Sequence, residues 1–169
     1  ENVILAMKAF SENSEEAVDK VYKNEKIINA LENDITDYLV ELSQLDLPEE
    51  DIKLFSSTYH VINDIERIGD HAENIADLAV EKMSKGIHLG STAKEELNLM
   101  FETTIKAIEI AIQSYNNKGL ITPKEIEVVE DEIDVLEKKL RESNIKRLNE
   151  RTCSAASSVI FLDLISNLE

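Results

Sequence analysis

Acidic residues at helical spacing are the side chains of this sequence that could do chemistry. Glu66, Asp70, Glu73 and Asp77 follow one another at intervals of four, three and four residues. That spacing places them on one face of a helix, where like charges repel each other unless something compensates them. Carboxylate oxygens suit hard cations such as magnesium, manganese, calcium or ferric iron. The row therefore indicates either a cation site or a solvated acidic flank.

Two further glutamates interrupt apolar stripes that match each other when the sequence is shifted by 105 residues, namely Glu25 and Glu130. A carboxylate that faces a bundle interior is costly unless it is paired, protonated or bound to a cation. We therefore expect both to point inward, either paired with a basic residue or bound to a cation, with Asn29 as a weaker oxygen donor beside Glu25. The stripes consist of Val21, Ile28, Leu31 and Ile35, and of Ile126, Ile133, Leu136 and Leu140.

The sequence offers few other constellations that could carry catalysis. A di-iron bundle needs a Glu-x-x-His spacing, and none of His60, His71 and His88 has a glutamate three residues before it. A Gly-rich phosphate loop is absent, and the single cysteine, Cys153, excludes both an internal disulfide and a CxxC zinc site. We expect a protein that is not an enzyme and has no catalytic residues.

The composition favours an acidic helical protein of a reducing compartment. The 169 residues include 35 acidic and 18 basic ones, for a net charge of −17. Such a charge disfavours nucleic-acid binding, because it repels the phosphate backbone. Four glycines and two prolines are too few for the many turns of an all-β fold. A single cysteine is typical of the cytoplasm, and no apolar run of about 18 residues could span a bilayer.

Periodicity and capping signals predict an all-α fold of six helices. Shifts of 105 and 103 residues reveal an internal repeat, so we expect two tandem antiparallel three-helix bundles over residues 1–88 and 89–169. The first helix matches only the end of the fourth, so both the first and the last helix are expected to be truncated. The predicted helices cover about 2–12, 15–44, 49–85, 92–118, 123–149 and 154–169, with Thr92 and Thr122 as N-caps.

The sequence resembles the PhoU family of regulators of bacterial phosphate uptake. The segment DIERIGDHAENIA at 64–76 is similar to the signature helix of that family, and FLDLISNLE at 161–169 resembles its second copy. Residues 21–28 and 126–134 resemble the family's other acidic helix. In wording, the sequence is most similar to the PhoU-like cytosolic domain of bacterial sodium/phosphate cotransporters, with a free-standing PhoU protein as the alternative.

The resemblance implies two bundles related by pseudo-twofold symmetry and Glu-x-x-x-Asp motifs that hold clusters of metal ions such as iron, manganese or magnesium. Asn29 stands where the family pattern has an aspartate, and the second signature helix stops at Glu169, before its partner carboxylate. Glu73 is a weaker candidate ligand. The resemblance implies two sites, one of Glu25, Glu66 and Asp70, and one of Glu130, Asp134 and Glu169.

The function hypothesis is a non-enzymatic regulatory module of phosphate uptake and phosphate homeostasis. It would lie in the cytoplasm, at or tethered to the inner face of the cell membrane, as a monomer or a homodimer. Its partner would be the membrane domain of a phosphate transporter, even within the same polypeptide, or a phosphate-signalling histidine kinase. The alternatives are a metal-free helical adaptor, in which Glu25 and Glu130 pair with Lys or Arg, and a carboxylate-bridged metalloenzyme.

Overall fold

The computed structural model describes residues 1–116 and 123–169, without the side chains of residues 50 and 123–125. In these residues the chain forms six α-helices and no strand, which confirms the predicted all-α class. The predicted end of the fourth helix at Lys118 and the Thr122 cap lie outside the described residues. The helices are α1 (Asn2–Glu12), α2 (Glu15–Leu42), α3 (Glu49–Ser84), α4 (Ser91–Asn116), α5 (Pro123–Asn149) and α6 (Ala155–Leu168).

The chain divides into two compact units, unit 1 (Glu1–Glu81) and unit 2 (Lys82–Glu169), and the division falls inside α3 rather than after residue 88. In unit 1, α1 packs on α2 across a two-residue turn. Asn13 ends α1 in the left-handed conformation (φ 56°), and the Ser14 hydroxyl accepts the backbone N–H of Ala17 at 3.2 Å to begin α2. The two caps leave no spare residue, so they hold α1 and α2 antiparallel.

Unit 2 is a three-helix bundle in which α4, α5 and α6 pack on one another. Its core centres on α6, where Phe161 and Leu164 are fully buried. A reciprocal capping box begins this helix: the Ser154 hydroxyl accepts the Ser157 backbone N–H, and the Ser157 hydroxyl accepts the Ser154 N–H, both at 3.0 Å. The cap satisfies two backbone donors at the point where the chain enters the core.

The predicted apolar stripe of α2 is wrong beyond Ile28. Val21 is fully buried, but Leu31 and Ile35 are exposed, and so is Tyr38, which follows Ile35 by three residues. The positions of the predicted stripe are spaced 3.5 residues apart on average, whereas a straight helix repeats every 3.6 residues. The stripe therefore drifts off the inward face along this helix of 28 residues. The inward positions are instead half-buried Glu32 and Thr36 and buried Leu39.

We expect loss of the α6 cap to weaken unit 2. Ser154→Ala should lower the free energy of unfolding by about 1 kcal/mol, because the Ser157 backbone N–H loses its hydroxyl acceptor. Urea denaturation followed by circular dichroism measures this change. Ser56→Ala, at an exposed position within α3, is the control and should change the value by less than about 0.5 kcal/mol. Equal stabilities of the two variants would contradict the role assigned to the cap.

Candidate functional site

Glu25 is a buried carboxylate on α2 that faces α3 of the same unit. Its residue is 2% exposed, and neither side-chain oxygen has a hydrogen-bond partner among the described residues. Directly opposite lies Gly69, where a Cβ atom would stand 2.5 Å from Glu25 Oε2 and 3.2 Å from Ile28 Cδ1. The missing side chain at Gly69 is therefore what gives the carboxyl group its room between α2 and α3.

The carboxylates of the acidic row act electrostatically on Glu25. Burial raises the pKa of the Glu25 carboxyl above its ordinary value of 4.5, and the negative charges of Asp70, Glu73 and Glu66 raise it further. Burial likewise raises the pKa of Glu66, with Asp70 as the largest charge contribution. Glu66, Asp70 and Glu73 thus act on Glu25 electrostatically, and all four are candidate ligands predicted for the first repeat.

The row differs along its length in exposure and in hydrogen bonding. Glu66 and Glu73 are half-buried and Asp70 is exposed. Asp77, the last member, accepts a hydrogen bond from the Tyr22 hydroxyl at 2.6 Å. Burial and this hydrogen bond raise the pKa of Tyr22 to about 12. Asp77 is therefore paired with Tyr22. The other three carboxylates of the row are the ones whose charges raise the pKa of Glu25.

Metal binding by these residues stays a prediction. Over residues 1–116 and 123–169, no three or more Asp, Glu, His or Cys side chains are grouped so that they could hold a metal ion. The weaker candidate Asn29 is exposed on α2, and its backbone carbonyl accepts a hydrogen bond from the Asn33 side chain at 2.6 Å. Glu25 and its acidic neighbours therefore form a negative, partly buried locus without a closed coordination shell.

The second predicted set does not occupy the interior of unit 2. Glu130, Asp134 and Glu169 are all exposed, so the expectation that Glu130 points inward is wrong. Val129 is buried in its place, whereas Ile133 and Leu140 of the predicted stripe are buried as expected. The metal binding predicted for these three exposed carboxylates is not tested by their positions.

The buried carboxylate of α5 is Glu137, which the sequence analysis missed. Its residue is 6% exposed, and Arg141 Nε donates a hydrogen bond to Glu137 Oε1 at 2.6 Å. A Glu followed four residues later by Arg is a helical ion pair that the sequence displays. A second signal was its spacing from Ile133 and Leu140, which places Glu137 on the same buried face of α5. Unit 2 thus buries a carboxylate that is paired with an arginine, whereas the buried Glu25 of unit 1 has no hydrogen-bond partner in the part of the chain that the structure describes.

A half-buried ion pair in unit 2 lies beside a cavity of about 430 Å³. Arg147 Nη1 donates to Glu96 Oε2 at 2.6 Å and to Ser143 Oγ at 2.9 Å, and the guanidinium lies 4.8 Å from the centre of the Phe161 ring. These contacts join α4, α5 and α6 at one point. The lining residues include Ser91, Asn144 and Cys153. Because Glu96 neutralises Arg147, the cavity has no net charge from this pair.

The fold is that of the PhoU helical bundles. The crystal structure of the phosphate transport system regulatory protein PhoU from Streptococcus pneumoniae matches with a TM-score of 0.85 at 19% identity, over 99% of this chain and 78% of that chain. The structure of PhoU from Pseudomonas aeruginosa matches with a TM-score of 0.86 at 17% identity, over 99% and 79% of the two chains. Within the described residues, no helix is long and apolar enough to cross a membrane.

Sequence comparison points to the same family. Residues 1–79 match the family model described as the PhoU domain, and this range includes the segment 64–76 that resembles the signature helix. The homologue of the phosphate-specific transport system accessory protein PhoU from Aquifex aeolicus is 26% identical over 132 residues, and homologue 1 from Thermotoga maritima is 29% identical over 107 residues. These alignments cover 78% and 63% of this chain but only 58% and 45% of the relatives, so the chain spans about half of their length.

We expect neutralisation of Glu25 to stabilise unit 1 at neutral pH in metal-free buffer. An acid whose pKa is raised by folding binds its proton more tightly when folded. Stability therefore falls as the pH rises from the ordinary value of 4.5 through the raised pKa. Each unit of pKa displacement corresponds to about 1.4 kcal/mol. Glu25→Gln should remove this pH dependence, so its advantage should be present at pH 7 and vanish near pH 4.

Thermal unfolding of both proteins between pH 4 and pH 8, with chelator present, measures this effect. Glu130→Gln is the matched control, because Glu130 is the repeat counterpart of Glu25 and is exposed. The control should behave as the parent chain at every pH. A Glu25→Gln chain that is destabilised at pH 7, or an equal effect of Glu130→Gln, would contradict the buried, unpartnered state of Glu25.

Gly69 and Glu25 should be energetically coupled. Alanine is favoured over glycine in a helix interior by about 1 kcal/mol, but the new Cβ would crowd Glu25 Oε2. Gly69→Ala should therefore gain less in the parent chain than in a Glu25→Ala background, with a coupling energy of at least about 0.5 kcal/mol. A double-mutant cycle in urea measures the coupling. Additive effects of the two substitutions would show that the carboxyl group does not fill the space at Gly69.

Proposed function

We propose that this chain is a non-enzymatic regulatory module of phosphate uptake. The observation that carries the proposal is the PhoU domain over residues 1–79 in a chain that has the PhoU fold along nearly its whole length. The relatives are named as accessory proteins of phosphate-specific transport systems. The most distinctive chemistry of the domain is a buried carboxylate beside other carboxylates, which suits cation binding and electrostatic contact better than acid–base catalysis.

The first acidic locus is proposed to bind a hard metal ion, or a small cluster of them, through Glu25, Glu66 and Asp70, with Glu73 alongside. The burial of Glu25 without a protein partner supports this, because a cation would offset the cost of an ionised interior carboxylate. It would also relieve the repulsion among the three neighbouring carboxylates. Carboxylate-only ligands suit iron, manganese or magnesium. The corresponding role of Glu130, Asp134 and Glu169 stays a prediction.

Measurement of metal content tests this part of the proposal. Protein purified without chelator or metal-affinity resin should contain about one or more equivalents of a hard metal by mass spectrometry. Glu66→Gln combined with Asp70→Asn should lose that metal, because two of the ligand carboxylates become neutral. Glu130→Gln combined with Asp134→Asn is the control from the second repeat and should keep it. Folded protein without metal, or equal metal in both double variants, would favour the metal-free adaptor.

The regulatory role is proposed to depend on contact with a membrane protein at its cytoplasmic side. The membrane domain of a phosphate transporter, whether a separate protein or part of the same polypeptide, and a phosphate-signalling histidine kinase are the two candidate partners. Crosslinking in cells grown with scarce and with ample phosphate, followed by purification of the chain, tests this. Recovery of a phosphate transporter or such a kinase is the expected outcome. Recovery of neither from native membranes would overturn the regulatory role.

A further inference from the structure

The cavity of unit 2 lies where three helix ends meet. Its wall is built from the start of α4, the end of α5 and the start of α6, and its volume is about 430 Å³. Residues 89–93 supply the α4 side, residues within 143–153 supply the α5 side, and Ser157 and Phe161 supply the α6 side. All of these residues belong to unit 2, so the cavity is a feature of this bundle alone.

The first turn of α4 brings backbone N–H groups to this cavity without a side chain that caps them. The Lys94 N–H donates to the Gly90 carbonyl at 3.1 Å, so Gly90 is the residue that precedes the first turn. Thr92, which the sequence predicts as the N-cap, lies inside the helix instead. Glycine has no side-chain oxygen, and the N–H groups of residues 91–93 have no acceptor among the described residues. Such groups carry partial positive charge and suit an anion.

Cationic side chains add further donors around the same space. Arg147 Nη1 is occupied by Glu96 and Ser143, but Arg147 Nη2 is buried and has no hydrogen-bond partner within the described residues. Lys146 lies on the cavity wall with its Nζ atom 4.0 Å from a carboxylate oxygen of Glu150. A buried donor without an acceptor costs free energy. The cavity therefore has donors in excess.

One acceptor stands among these donors. Asn144 lines the cavity and is 2% exposed, and its Nδ2 atom donates to the carbonyl oxygen of Ser158 at 3.3 Å and to the Ser158 hydroxyl at 2.6 Å. In the part of the chain that the structure describes, no group donates to the amide oxygen of Asn144. That oxygen can accept a hydrogen bond. A ligand that matches the cavity therefore accepts several hydrogen bonds and donates one.

This end of unit 2 has a charge opposite to that of the whole chain. Residues 82–97 and 143–158 contain six basic and three acidic side chains, whereas the net charge of the chain is −17. Burial lowers the pKa of the Lys82 ammonium, and the positive charge of Lys94 lowers it further, as expected where cations lie close together. The local surplus favours an anion. The basic residues are Lys82, Lys85, Lys94, Lys146, Arg147 and Arg151, and the acidic ones are Glu95, Glu96 and Glu150.

We propose that this cavity binds inorganic phosphate, with the N–H groups of the first turn of α4 and Lys146 donating to its oxygens and the Asn144 amide oxygen accepting its proton. Inorganic phosphate keeps at least one proton at neutral pH, whereas sulfate has none and a phosphate monoester is largely ionised. Phosphate alone of the three therefore offers both the acceptors and the donor. The proposal deepens the proposed regulatory role, on which its meaning in the cell rests, because it gives the module a ligand to sense.

Titration with inorganic phosphate tests the proposal. With chelator present and in a phosphate-free buffer, phosphate should shift the backbone amide resonances of residues 91–93 and the side-chain amide resonance of Asn144 in NMR spectra, and the shifts should saturate. Sulfate should bind roughly tenfold more weakly or less, because it leaves the amide oxygen unpaired. Shifts confined to other residues, or equal binding of sulfate, would overturn the proposal. Tighter binding of glycerol phosphate than of inorganic phosphate would also overturn it.

Substitution of Gly90 separates binding from folding. A Cβ atom at Gly90 would meet nothing within 4 Å. Gly90→Asp places a carboxylate over the first turn of α4, so it should raise the melting temperature as an N-cap. The same carboxylate should weaken phosphate binding at least about tenfold, because it takes the N–H groups and repels the anion. Gly90→Ala is the matched control and should bind phosphate within about twofold of the parent chain. Unchanged phosphate binding by Gly90→Asp would overturn the proposal.

Lys146 is the second donor that can be removed without endangering the fold, because its side chain is 74% exposed. Lys146→Gln should weaken phosphate binding by roughly threefold to tenfold. Lys139→Gln removes an exposed lysine of α5 outside the cavity and should leave the affinity unchanged. Equal affinities of the two variants would contradict the assigned donors.

These assays involve neither a metal nor a membrane partner. Their failure would therefore leave the regulatory role and the metal proposal for unit 1 standing. Failure to recover a membrane partner from cells would, in turn, leave the phosphate site standing.

Discussion

An interior carboxylate without a cation is the constraint around which unit 1 is arranged. Glu25 takes the place that an apolar residue would have on α2, and α3 accommodates it by having glycine at position 69. A buried charge of this kind normally destabilises a helix pair. Its cost is limited here because the proton is held more firmly in the folded state, and the acidic row beside it strengthens that hold. The packing of α2 against α3 therefore depends on the protonation of Glu25, and the protonation of Glu25 depends on that packing.

The two units solve the problem of polar interior positions differently on a shared scaffold. Unit 2 buries Glu137 with Arg141 on the same helix, and it joins Arg147 to Glu96 across helices. In each of these pairs the carboxylate has its own counter-charge. Among the described residues, neither oxygen of Glu25 in unit 1 has a hydrogen-bond partner. The two units thus share a helical framework but differ in how they accommodate a buried carboxylate.

What the sequence could predict follows from how local each signal is. The six helices and several of their ends follow from periodicity and from residues within one turn. Gly86, for example, has a positive φ just after the end of α3. Glu25 could be found because it interrupts an apolar run close to the start of α2, where phase errors are still small. Glu130 and the stripe through Leu31 and Ile35 were misplaced, because a small error in period or register turns a side chain to the other face. The spacing of Glu137 and Arg141 is a local signal of a helical ion pair, whereas the burial of Glu137 depends on which face of α5 packs inward.

The turn between α1 and α2 has a consequence for how the chain reaches its fold. Asn13 ends one helix and Ser14 begins the next, so the residues that pack across this turn are close neighbours in sequence. The entropy lost in closing so short a connection is small, and contacts between near neighbours form quickly. The helical hairpin of α1 and α2 can therefore assemble before the long α3 arrives. In that order of events Glu25 remains hydrated until Gly69 docks against it, so desolvation of the carboxyl group comes as a late step of folding.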